Sequence, residues 1–115
     1  MAKSLHKGIA ARAREIISDR ERWIQGQLAM SDDARSVDPT DAQAHRFCAV
    51  AALRRAAHEV APGQNDLADR VQIALEQMVH IQHPQLSDCL ENLNDDGDHA
   101  TVLRLFDKFV AGEVS

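Results

Sequence analysis

Seven consecutive apolar residues, Phe47-Cys48-Ala49-Val50-Ala51-Ala52-Leu53, constrain this chain more than any other feature of its sequence. A helix drawn through them is apolar around most of its circumference, so it belongs at the centre of a fold with other elements packed around it. Ala, Val, Leu and Ile supply most of the 44% apolar fraction, while there is one Trp, three Phe and no Tyr. The core is therefore aliphatic, its helices closely spaced, and helix is favoured over strand.

Capping chemistry places the start of this central helix at Asp38-Pro39-Thr40-Asp41. Asp38 can accept from the free amides, Pro39 suits the first helical position, and Asp41 complements the dipole. The helix then runs to Val60, and Ala61-Pro62-Gly63 ends it. Upstream, Leu5, Ile9, Ala13, Ile16 and Ile17 share one face of a first helix from about Ser4 to Arg20. Between the two, Trp23 to Val37 reads as a connector with a small β-hairpin, because Leu28 and Met30 alternate before the turn-like Ser31–Ser36 segment. A third helix spans Asp66 to His80 and stops before Pro84. Leu86, Leu90 and Leu93 form the face of a short helical segment, the polar run Asn94–Asp98 breaks it, and a last helix carries Val102, Leu105, Phe106, Phe109 and Val110 up to a stop at Gly112. The fold class predicted is all-α: one domain over residues 1–115, a compact bundle of four main helices plus a short helical segment, with the hairpin between helices one and two.

Net charge is −5, but it is unevenly placed. Residues 1–22 carry six basic and three acidic groups, and from Glu59 onward there are eleven acidic groups against three basic ones. Opposite charge at the two ends predicts weak attraction across the fold. Dispersed cations, an acidic remainder and few stacking aromatics argue against nucleic acid as a partner. No apolar run approaches the roughly 20 residues a bilayer span needs, so no membrane partner is expected. Two widely separated cysteines and the absence of a hydrophobic targeting segment point to the cytoplasm.

Four groups of residues have the chemistry to form sites. Cys48 with His45, read on one helix, lacks the helix N-terminus or fixed cation that activates a thiol, so Cys48 is expected to be a buried structural residue. His80, His83 and Cys89, with His99 further on, are zinc-ligand types, but their spacing fits no finger or ribbon. They are weak metal candidates, and no cofactor is assigned. Asn92–Asp98 matches the front half of a calcium loop, yet the twelfth position is Leu103 where a bidentate Glu is needed; capping of the last helix by Asn94 or Asp98 is the reading preferred. Trp23-Ile24-Gln25-Gly26 is the one aromatic, amide and glycine cluster. Were Gln25 and Asn94 to converge near Trp23, they would form either a small polar pocket or a plugged core, which makes Trp23, Gln25, Asn94 and Asp95 the ligand-binding candidates.

Trp23-Ile24-Gln25-Gly26, Asp38-Pro39 with the Cys48 run, and Asn94-Asp95 before Thr101-Val102 together resemble a family of small, uncharacterised bacterial and phage proteins, a domain of unknown function. Phe47 and Ala51-Ala52-Leu53 depart from that family, which usually has an aromatic, often Trp, before the Cys and Gly-Ala-Leu after it. The resemblance spans most of the chain and implies an architecture but no activity. The functional expectation is a noncatalytic binding or regulatory module for a protein or small ligand, with no catalytic residue assigned. Two alternatives stand beside it. One is a small metal-dependent or hydrolytic enzyme using His80, His83, Cys89 and Asp95; the other is a structural homo-oligomer joined through an apolar face of the first or last helix.

Overall fold

Helix α2, Ala49–Val60, is the element around which the others pack; Ala49, Val50, Ala51, Ala52, Leu53, Ala56 and Ala57 are all buried. The computed structural model describes residues 2–64, 66–82 and 90–111. Alanines along α2 keep that helix thin, and α1, Ala2–Ile16, lies against it with Ile9, Ala10, Ala13 and Ile16 buried. Helix α3, Asp66–Gln82, contributes Leu67, Val71, Leu75, Met78 and Val79 to the same core. The short α4, Leu90–Asp96, adds Leu90 and Leu93, and α5, His99–Ala111, adds Val102, Leu105 and Phe106. Four main helices and a short one are thus joined by one aliphatic core, as the composition predicts. No helix among the described residues is long and apolar enough to cross a membrane.

The central helix begins later than the capping signal predicts. Asp38 does accept from a backbone amide, that of Thr40 at 2.9 Å, and from the Thr40 hydroxyl at 2.7 Å, but the segment folds into turns. A second turn follows, with the Ala44 amide donating to the Asp41 carbonyl at 3.0 Å. Asx-turns and helix N-caps use the same side-chain chemistry, so the signal was correct in kind and wrong in element. What overrides a helix here is strand pairing. Strand β2, Ala44–Phe47, pairs antiparallel with β1, Ala29–Ser31, in the register Ala29 to Phe47, Met30 to Arg46 and Ser31 to Ala44. His45 is the extra residue of a bulge. The predicted hairpin therefore exists between α1 and α2, but its return strand lies beyond Val37. The tight turn expected at Ser31–Ser36 forms within the connection, with Ala34 at a φ of 64° and a single bridge between Met30 and Ser36. Cys48, not Asp38, caps α2: its sulfur accepts from the Ala51 amide at 3.4 Å.

Other boundaries move less. Helix α1 ends at Ile16 rather than Arg20, because the Ser18 hydroxyl donates to the Glu15 carbonyl at 2.8 Å and a separate short 3₁₀ turn, Arg20–Arg22, starts under an Asp19 cap. Helix α3 continues to Gln82. Pro84, Leu86 and Gly112, used as signals above, lie outside the described residues.

The predicted attraction between basic start and acidic remainder takes the form of ion pairs. Arg14 forks onto Asp107 of α5 at 2.9 and 3.4 Å. Glu59 bridges Arg12 of α1 at 2.8 Å and Arg55 of its own helix at 2.9 Å, while Arg55 also donates to the Asp41 carbonyl at 2.8 Å. Burial alone would raise the Glu59 carboxyl, but hydrogen bonds from Arg12 and Arg55 outweigh it and hold the group below its ordinary value of 4.5. Because both partners are partly exposed, Glu59→Gln should lower stability by about 0.5–1 kcal/mol near neutral pH. The folded carboxyl titrates below the unfolded one, so the deficit is full above the unfolded value and vanishes as pH falls through the folded value. Urea midpoints of both proteins from neutral pH down through that acidic window check it; a gap that does not change with pH contradicts it.

Candidate functional site

Trp23-Ile24-Gln25-Gly26 leaves the 3₁₀ turn and runs beside β2, the Ile24 amide donating to the Phe47 carbonyl at 3.1 Å. Gly26 has a φ of 77°, which turns the backbone toward the last turn of α4. Asn94 of that turn is 0% exposed. Its Oδ1 accepts from Trp23 Nε1–H at 2.7 Å and from the Ala49 amide at 2.9 Å. Its Nδ2 donates to the Ile24 carbonyl at 2.9 Å and to Asp95 Oδ1 at 3.2 Å. Both lone pairs and both protons of the amide are thereby used.

The neighbouring side chains complete the arrangement. Gln25 Nε2 lies 3.0, 3.0 and 2.9 Å from the carbonyl oxygens of Asn94, Asp95 and Gly97 and shares its two protons among them, which covers the open carbonyl end of α4. Asp95 Oδ1 accepts from the Gly26 amide at 2.8 Å. Gly97 has no room for a side chain, since a Cβ there would sit 2.7 Å from the Leu93 carbonyl oxygen. His99 Nε2–H donates to the Ile17 carbonyl at 2.6 Å, and its ring lies 5.2 Å from that of Trp23. A carbonyl only accepts, so this bond places the proton on Nε2. Trp23 is half-buried between these groups and the core.

Chemically, the knot is a hydrogen-bond network centred on the saturated Asn94 carboxamide. Ala49 is the first residue of α2, so Asn94 satisfies one otherwise open amide of that helix and Cys48 another. Beside the knot opens a groove of about 160 Å³ lined by Gly26, Gln27, Leu28, Cys48 and Asp95. Asp95 is exposed, and both of its side-chain hydrogen bonds to described residues fall on Oδ1.

The sequence candidates thus separate. Trp23, Gln25, Asn94 and Asp95 are brought together. Cys48 and His45 are not on one helix: His45 sits in the β2 bulge with Asp32 Oδ1 3.3 Å from its Nε2, and Cys48 is the α2 cap. Cys48 is 4% exposed, as expected, although it stands at a helix N-terminus and not deep within a helix. His80 is exposed near the end of α3. His83 and Cys89 lie outside the described residues, and among those described no group of three His, Cys, Asp or Glu is placed to hold a metal. Asn94 and Asp95 belong to α4, and Asp98 alone caps α5 by accepting from the Thr101 amide at 2.8 Å. Sequence reasoning missed the link to Ala49 and the His99 bond, since neither a backbone amide nor a long-range histidine carries a local signal.

A family model described as a family of unknown function, DUF6197, matches residues 2–111. No curated protein and no solved structure matches the chain.

Asn94→Ala would leave the buried Ala49 amide and the part-buried indole N–H and Ile24 carbonyl without the partner they have now, and should cost about 2–4 kcal/mol. Trp23→Phe removes only one donor while keeping an aromatic ring, and should cost about 1 kcal/mol. Denaturation followed by circular dichroism compares them; equal losses would contradict the role given to Asn94.

Proposed function

The chain belongs to the DUF6197 family, a family of unknown function, and we propose that it acts as a noncatalytic binding module whose recognition groove lies beside the Trp23–Gln25–Asn94–Asp95 knot. One observation carries this reading: the Asn94 carboxamide, the Trp23 indole N–H and Asp95 Oδ1 are turned on one another, so they hold a wall in place, while Asp95 Oδ2 and the Gln27 carboxamide are left at the groove. Binding walls work best when pre-organised, because little side-chain freedom is then lost on association. A reacting centre would add to the Asp95 carboxylate a second reactive group placed beside it in the groove. Cys48 lines the groove, but its sulfur is engaged as a helix cap. Leu28 offers an apolar contact, and Asp95 favours a ligand or protein segment that brings a hydrogen-bond donor.

Gln27→Leu tests this, because Gln27 is exposed, its side chain makes no hydrogen bond to the knot, and its replacement removes a polar group from the groove without adding a charge beside Asp95. Wild-type and variant proteins are used to capture partners and small molecules from the native host. The expected outcome is a ligand retained by the wild type, lost by the variant, and shifting the backbone amide signals of Gly26, Gln27 and Leu28 when added back. Equal retention by both proteins, or chemical conversion of the captured molecule, would contradict the proposal.

A further inference from the structure

A second groove, separate from the knot, opens between α2, the Asp38–Gln43 turns and the start of α3, with a volume of about 260 Å³. Its α2 side carries Arg54 and His58, one helical turn apart and therefore neighbours on the surface. Gln64 and Asp69 line it from the α3 side, with Thr40 contributed by the turn. Ala57 and Ala68, 4% and 5% exposed, are small enough to leave an apolar base.

Two features mark this groove out. The adjacent Arg55 is held through Nε by Glu59 and through Nη1 by the Pro39 and Asp41 carbonyls, whereas the Arg54 and His58 side chains are exposed and make no hydrogen bond or ion pair to any described residue. Their field nevertheless reaches the turn. Asp38, held below the usual carboxylate range first by the Thr40 hydroxyl and then by the Thr40 amide, is lowered further by Arg54 and His58. In addition, the charges are of opposite sign on the two sides, cationic from α2 and anionic from Asp69 of α3.

We propose that this groove binds a small zwitterion of the α-amino-acid class, carboxylate on Arg54 and His58, ammonium on Asp69, and an apolar side chain over Ala57 and Ala68. A simple anion would meet Asp69, and a simple cation would meet Arg54. Only a ligand with both signs compensates both sides. The planar guanidinium fork suits a carboxylate, and Gln64 and the Thr40 hydroxyl oxygen supply neutral hydrogen bonds at the rim.

The test uses isotope-labelled full chain titrated with L-leucine, with isocaproate, which lacks the amine, and with isoamylamine, which lacks the carboxylate. L-leucine should give saturable shifts at the amides of Ala57, His58, Gln64, Ala68 and Asp69, with those of Gly26–Leu28 unmoved. Each single-charge analogue should bind at least about tenfold more weakly, the equivalent of one lost ionic contact. Arg54→Gln, at an exposed position whose side chain bonds no described residue, should weaken L-leucine by about tenfold or more. Asp69→Asn should weaken L-leucine and strengthen isocaproate, a reversal that a folding defect cannot produce. Absence of saturable shifts with L-leucine, analogues that bind as tightly as L-leucine, or unchanged affinity in Arg54→Gln would each overturn the proposal. Because the amides followed differ, failure here is distinguishable from failure of the groove beside the knot.

Discussion

A carboxamide removed entirely from water must have its donors and acceptor satisfied by the protein, and Asn94 is such a group at 0% exposure. Its partners come from three separate parts of the chain: Trp23 and Ile24, Ala49, and Asp95. One side chain therefore sets where the Trp23–Gly26 segment lies, where α2 begins and how α4 ends. Gln25 and Gly26 answer from the other side, bonding to the carbonyl end of α4 and to Asp95. In a network of this kind each bond orients the others, and a partly satisfied version is worse than none.

The rest of the fold follows from that anchor. With α2 starting at Ala49, Phe47 becomes the end of β2 and is buried at 1% exposure, with the Arg22 guanidinium 6.0 Å from its ring. The α1 exit is fixed from the same region, since His99 packs on Trp23 while bonding Ile17. Alanines on α2 then allow α1 to approach closely, and the Arg12–Glu59–Arg55 chain joins the two helices to the Asp38–Gln43 turns. Both grooves proposed as binding sites border parts held in this way, one beside the knot and one beside those turns. The backbone that carries their lining residues is placed by these hydrogen bonds and ion pairs.

Periodicity made the long helices legible. Leu67, Val71, Leu75 and Met78 keep a helical stripe, and α3 forms over it; Val102, Leu105 and Phe106 do the same for α5. The central run was legible as buried, but its division into strand, cap and helix was not. Ala44–Phe47 is too short to display a period of two, and its pairing with Ala29–Ser31 is set by contacts across a long connection. Asp38-Pro39-Thr40-Asp41 misled because an Asx-turn and an N-cap demand the same oxygen at the same place. As for the site, Trp23, Gln25, Asn94 and Asp95 stood out by residue type. Their convergence over about seventy residues of chain depends on tertiary packing that no local pattern encodes.

Native-state hydrogen exchange at two protons of the knot, the Ala49 amide and the Trp23 indole N–H, tests the anchoring role of Asn94 most directly. If Asn94 holds the segment, the start of α2 and the end of α4 together, both protons exchange only through global unfolding, with the same opening free energy as the amides of Leu53 and Leu75 in the core. Exchange of either proton through a local opening of much lower free energy, while the core amides stay protected, would contradict it.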